Sequence, residues 1–311
     1  MKTRIWAGLV TVYIVWGITY LGIRFAIETM PPFFMTGTRF LIAGALFYGF
    51  SRIKGAPPPT GKEWREAAVV GILLLAVGNG GLTWAEHRVA SGVASLVIAT
   101  VPLWMLIIDM IFSRSRKLNA FHIIGVLIGF FGILILIGPA LTDLNSGYLD
   151  PAGVVVLLLA AISMASGSIY NRGASLPSSL QQGIGMELIV GAGVMLIAGL
   201  LMGELVNFDI GVVSARSWVS YFYLLIFGSI IGFGVYIWLL RVAPTPLVST
   251  TSFVNPLVAL FMGTLIGREP LTPRIFLSSM IIIGSVVLIN IGQSISSKSG
   301  VKVAYSPTSE D

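Results

Sequence analysis

Ten apolar runs, each near the roughly 20 residues that carry a helix across a bilayer, recur along this 311-residue chain. They fall at about 5–27, 33–50, 67–84, 90–112, 120–138, 152–170, 183–203, 218–240, 246–266 and 275–292. Only 10% of the residues are charged, against roughly a quarter in soluble domains, so no aqueous fold could cover this much apolar surface. In hydrocarbon every backbone N–H and C=O must be satisfied internally, which makes each run a helix. The expected fold is an all-α membrane protein of ten transmembrane helices.

The stretch from Leu73 to Trp104 returns far down the chain. Arg88-Val89-Ala90 reappears as Arg241-Val242-Ala243, 153 residues on, and Pro102-Leu103 as Pro256-Leu257, 154 residues on. Trp16-Gly17, Arg24, Gly37 and Arg39 align with Met164-Ala165, Arg172, Gly185 and Glu187 at a constant 148. The chain therefore reads as a first repeat over 1–140, a linker over 141–151, a second repeat over 152–293 and a polar, disordered tail over 294–311. Five crossings per copy is odd. The copies must sit upside down relative to one another, as inverted repeats around a central cavity that opens to either side. Gly78, Gly80 and Gly81 soften the third run and Pro102 interrupts the fourth. Such breaks are tolerated where backbone faces protein or a wet cavity, which is where substrates cross.

Charge placement orients the chain. Thirteen Lys and Arg fall on segments sharing a side with the amino terminus, against Arg88, Arg216, Arg268 and Arg274 opposite, so both termini are expected in the cytoplasm. The first apolar run, behind Lys2 and Arg4, is too long for a signal-peptide core and is read as the first anchored span. With no cysteine, disulfides and thiolate chemistry are excluded; with only His87 and His122, so is a histidine metal cluster. No metal and no cofactor is expected. The net charge of +6 is spread over loops, without the basic face on a soluble domain that nucleic acid requires. The expected partners are a small-molecule substrate and the lipid bilayer, with the chain a monomer or a weak homodimer.

Several polar side chains stand where they must have work to do. Trp16, Tyr20 and Arg24 repeat at four-residue spacing and share one face of the first helix. They read either as a cavity wall or as a packing stripe with Arg24 reaching the headgroups. Arg39 lies about 10 Å inside the second span at 1.5 Å per residue, where a cation needs a partner; Glu86, a substrate carboxylate or helix-end carbonyls are the candidates. Glu187 is its counterpart in the second repeat, read as paired with Arg172 or Arg241, or as a proton-coupling carboxylate. Asp109 is expected to pair with Arg114 or Arg116. Asn79, Thr100, Ser168, Tyr236, Ser252 and Asn255 are uncharged polar groups near mid-membrane, where they contact substrate or bond between helices. Trp84 and Trp104 line the pore or pack. Gly125 and Gly129 carry an ordinary helix-packing spacing.

Taken together, Trp16-Gly17 with Arg24 and Arg39, the glycine-rich third span ending near Arg88, Pro102, and Gly267-Arg268-Glu269 with Leu271-Thr272 resemble the EamA-type drug/metabolite transporters. Leu73 to Gly80, with Ala85-Glu86-His87, is similar to its YedA-like bacterial inner-membrane branch. The resemblance implies a basket of ten helices whose cavity is lined mainly by spans 1, 3, 4, 6, 8 and 9, and a role in exporting amino acids or other metabolites. One departure stands out. The first half has Arg116-Lys117-Leu118-Asn119 where the second carries a Gly-Glu turn, which limits Glu269 to capping and loop structure.

A secondary transporter of small organic metabolites, amino-acid-like or amphipathic, is the leading reading. It has no ATP-binding loop, so a gradient must drive it, and Arg24, Arg39, Glu86 and Glu187 are its gate or coupling residues. The rivals are a channel, which needs rings of carbonyls or charges, and an intramembrane enzyme, which needs a Ser–His pair or facing aspartates. Neither enzyme pattern is present, since Asp109 stands alone and His87 lies at a helix end, and the inverted duplication argues for two-sided access over a channel.

Overall fold

The computed structural model describes residues 2–112, 120–142, 150–206 and 208–301, and all regular structure among them is helical. Among the described residues, nine helices are long and apolar enough to span a bilayer. They are α1 (Lys2–Ala26), α2 (Pro32–Ile53), α3 (Gly61–Ala85), α4 (Ser91–Ile111), α5 (Ala120–Gly138), α6 (Pro151–Gly173), α7 (Leu180–Leu201), α8 (Ala215–Val242) and α10 (Pro273–Gly292). Between the last two lies the shorter α9 (Thr251–Leu265), preceded by the single turn Thr245–Val248.

Local chemistry sets the helix starts. Thr60 and Glu63 close a capping box at α3, Asp150 accepts from the Ala152 N–H ahead of Pro151 at α6, and Ser214 caps α8. The last helix continues to Val301, so the tail expected to be disordered from Ser294 begins as helix. Residues 302–311 and most of the linker, 143–149, lie outside the described residues.

The most extensive contacts join helices of the first half to helices of the second: α2 to α7, α5 to α10, α1 to α8 and α9, and α6 to α3 and α4. Glycine permits the tightest of these. A Cβ on Gly185 would stand 2.7 Å from the Tyr48 nitrogen, and one on Gly44 2.9 Å from the Gly185 carbonyl oxygen, so α2 and α7 touch backbone to backbone. Gly125 and Gly129 seat α5 against Ser285 and Ile289 of α10 in the same way. Large apolar residues such as Leu127, Phe131 and Leu201 remain exposed on the outside, as a lipid-facing surface requires.

Polar contacts at the helix ends define two faces. The near face carries the start of α1. On the far face, Arg24 at the end of α1 pairs with Glu269, Arg216 at the start of α8 pairs with Glu28, and Glu204 accepts from the Phe33 and Phe34 N–H groups. On the near face, Arg172 at the end of α6 pairs with Asp109, and Gln182 of α7 donates to the Pro57 carbonyl.

Candidate substrate pathway

The walls of the cavity come from two places where the backbone widens. In α3, Ile72–Asn79 is π-helical, and in α8 so is Leu224–Ile231, the same eight residues displaced by 152 at both ends. A π stretch moves carbonyls off their usual i+4 partners, and such turns gather at functional sites. Side chains collect those oxygens. Ser163 donates to the Leu73 oxygen at 2.8 Å, Asn79 to Leu74 at 3.2 Å, and the Trp16 indole to Gly228 at 3.1 Å. Neither stretch was legible in the sequence as a π turn, although glycines mark both.

A cavity of about 400 Å³ runs from mid-bundle toward the near face, lined by Trp16, Tyr20, Ser168, Tyr236, Ser252 and Asn255 among others. Its near end is bounded by Leu240, Val248 and Ser249. Trp16 stacks at a tilt on Tyr236, 4.9 Å between ring centres, and edge-on to Phe233 at 5.5 Å. The Asn255 side-chain oxygen is buried there without a hydrogen-bond partner. A second chamber of about 340 Å³ shares Trp16, Tyr20, Ser168 and Asn255 and adds Arg39 and Asn79. Spans 1, 3, 4, 6, 8 and 9 all contribute, and α2 joins them through Arg39 and Phe40.

Arg39 is 3% exposed. Its guanidinium lies 4.3 Å from the centre of the Phe40 ring and donates to Ser229 Oγ at 3.4 Å, while Nε has no partner. Arg39 and Glu86 do not close to ion-pair distance, contrary to the pairing expected of them. Thr100 and Trp104 fall outside the cavity lining: Thr100 is fully buried, donating to Val97 and accepting from the Trp104 indole.

At the far end of the bundle Glu269 ties the two halves together. Helix α4 begins at Ala90-Ser91-Gly92 without a capping side chain of its own, which leaves its first N–H groups orphaned. Glu269, from the α9–α10 turn of the other half, supplies the missing acceptor. It takes the Ser91 N–H and hydroxyl, each at 2.8 Å, the Gly92 N–H at 3.0 Å and Arg24 at 3.1 Å. Arg268 beside it is the one described non-glycine residue with positive φ, at 52°. The sequence signal was present in that uncapped helix start, but nothing in the order of residues tied it to a carboxylate 178 positions away.

Residues 4–138 and 151–291 each match the EamA-like transporter family. The chain belongs to that family. It is 37% identical over 294 residues to a protein named "Uncharacterized inner membrane transporter YedA" from Escherichia coli (strain K12), covering 93% of this chain and 91% of that one. Protein PecM of Dickeya dadantii is 27% identical over 88% of each chain. A solved crystal structure at 17% identity shares the fold, with a TM-score of 0.62 over 94% of this chain and 98% of the other. The family and the apolar helices together make this EamA-like chain a multi-pass membrane transporter.

The remaining expected sites resolve unequally. Glu187 is 7% exposed at the α3–α7 contact, where a Cβ on Gly71 would stand 2.4 Å from its carbonyl oxygen, and it lines none of the cavities described. Its expected partners are engaged elsewhere, Arg172 with Asp109 at 3.2 Å and Arg241 with Gln181 at 2.8 Å. Asp109 thus finds Arg172; Arg114 and Arg116, expected in that role, lie outside the described residues. Trp84 carries the Arg88 guanidinium 3.9 Å above its ring. No group of three or more metal-ligating side chains occurs among the described residues.

Proposed function

We propose that this EamA-like protein is a secondary transporter that moves small organic metabolites, amino-acid-like or amphipathic, out of the cell across the inner membrane by alternating access. The two repeats lie inverted, both termini are cytoplasmic, and the near face is the cytoplasmic one. The observation that carries the reading is the cavity itself, open toward one face and sealed at the other by a contact between the repeats. The chemistry of its wall supports the substrate class. Trp16, Tyr20 and Tyr236 offer flat apolar surface with polar tips, the unpartnered Asn255 oxygen awaits an amine or hydroxyl donor, and Arg39 awaits an anion. The relative's name, with the thirteen-to-four excess of basic residues, supports the inner membrane and the orientation.

A thermal-shift screen of metabolites on the purified protein identifies ligands, since a compound that binds only the folded state raises its melting temperature. Proteoliposomes loaded with such a ligand should then show saturable counterflow, weakened by Asn255→Ala and Arg39→Ala. Single-channel currents in place of counterflow would sink the reading.

A further inference from the structure

The far-face vestibule holds one more carboxylate than its seal uses. Glu86, the residue after α3, lines the same chamber of about 220 Å³ as Arg24 and Glu269. It is 3% exposed, and neither of its oxygens has a hydrogen-bond partner. The backbone N–H of Arg24 faces it and favours its charged form without closing a bond of ordinary geometry. A carboxylate buried this way persists as the neutral acid or recruits a cation.

The groups around it come from four segments. From α1 come Arg24 and Tyr20, from α2 Arg39, from the α9–α10 turn Glu269 and Arg268, and from its own loop His87 and Arg88. Arg39 is engaged with Ser229 and the Phe40 ring, and Arg88 with Asp150 at 3.3 Å and the Trp84 ring. Arg24 is held to Glu269 by one 3.1 Å bond, with its side chain 39% exposed. It is the cation with the least to lose by moving.

We propose that Glu86 is a proton-binding site that operates the far-side gate by competing with Glu269 for Arg24. With the proton on, Arg24 stays on Glu269 and the cap on α4 is intact. With the proton off, the Glu86 carboxylate draws Arg24 away and repels Glu269, and the cap loosens. The proton passes between a Glu86 oxygen and vestibule water, and no covalent bond to carbon changes. Burial, and then the neighbouring Glu269 carboxylate, hold the Glu86 carboxyl well above the usual carboxylate range, against the opposing pull of Arg24 and Arg39. The shut gate therefore binds the proton more tightly than an open one in which Glu86 is hydrated, and raising the pH favours opening. This switch rests on reading the cavity as a transport path, and it displaces Glu187 as the coupling carboxylate.

Its test needs no substrate, because the chain has no cysteine. Ala90→Cys places a thiol on the vestibule wall and Val212→Cys an exposed reference on the far face. In proteoliposomes, the ratio of their labelling rates by a membrane-impermeant maleimide cancels the reagent's own pH dependence. In the wild-type background the ratio should rise with pH, by at most about tenfold per unit for a single proton, and Glu86→Gln should leave it low and flat. A flat wild-type ratio, a Glu86→Gln ratio that still rises, or a ratio that follows sodium at fixed pH would each overturn the proposal. Should Glu86→Gln not fold, Glu86→Asp decides: a moved midpoint supports the switch and an unmoved one refutes it. Failure here leaves counterflow intact, whereas failure of the transporter reading abolishes counterflow.

Discussion

The two faces of the bundle are closed by related parts put to different use. In each half the first helix carries an arginine in its last turn, Arg24 or Arg172, which meets a carboxylate of the other half, Glu269 just past the fourth helix or Asp109 in its last turn. On the far face that carboxylate is 8% exposed and also takes two backbone N–H groups and a hydroxyl at the start of α4. On the near face Arg172 meets Asp109 at 3.2 Å, with side chains 51% and 12% exposed, close to the 39% and 7% of Arg24 and Glu269, so the two pairs differ in the added backbone bonds and not in burial. Charge-assisted hydrogen bonds contribute about 1.5–3 kcal/mol each, against about 0.2–1 kcal/mol for an exposed ion pair. The far end thus carries a helix cap that spans the two halves in addition to its ion pair, and the cavity runs toward the other end. In sequence the turn has no such carboxylate in the first half, where Glu269-Pro270-Leu271-Thr272 has Arg116-Lys117-Leu118-Asn119 as its counterpart 153 residues earlier.

If that asymmetry governs the molecule, removing Glu269 does the most damage. Glu269→Ala strands the first N–H groups of α4, at about 1–3 kcal/mol for a buried donor left unsatisfied, and takes its partner from Arg24, whose side chain is 39% exposed. The expected outcome is a large fall in melting temperature together with rapid labelling of a cysteine at position 90 at every pH. A melting temperature equal to wild type would break the comparison at its strong end. Gly263→Ala attacks the same contact without touching a charge. Its new Cβ would stand 2.5 Å from Glu269 Oε2, and overpacking of this kind costs about 1–3 kcal/mol. The far face should loosen and the near face should not.

Much of this was legible in the residues themselves. Apolar runs gave the helices, the offsets gave the duplication, and the stripe from Trp16 to Tyr20 with Ser168, Tyr236, Ser252 and Asn255 named side chains that meet in one cavity. What escaped was whatever depended on the two halves touching. Glu269 became a helix cap only because an uncapped helix start from the other half faces it, and Asp109 found Arg172 across the same divide. Depth alone makes Glu86 one candidate partner for Arg39, yet depth says nothing of direction, and Arg39 turns to Ser229 of α8 instead. The π turns escaped for a different reason. Glycine marks a place where a helix can widen without saying that it does; here Met164 packs close against Gly78 and Trp16 against Gly232, neighbours that no local sequence pattern names.

Smaller effects sharpen the contrast. Arg268 holds a left-handed backbone, which costs a residue with a Cβ about 1 kcal/mol relative to glycine. Arg268→Gly should therefore be more stable than Arg268→Ala by about that amount, the two variants sharing the loss of charge. A reversed order would mean that the turn is not what positions Glu269.

The least effect is expected at the near face. Asp109→Asn keeps the size and hydrogen-bonding shape of the side chain while discharging a pair whose arginine is half in solvent, so about 0.2–1 kcal/mol is at stake. Raising the salt concentration should shrink even that, because exposed charges are screened within about 10 Å at 0.1 M. Vestibule labelling at position 90 should be unchanged, since nothing in this pair reaches the far face. Measured beside Glu269→Ala, an equal fall in melting temperature would mean that the two ends are closed with similar strength. The direction of the cavity would then owe nothing to the Gly267-Arg268-Glu269 turn.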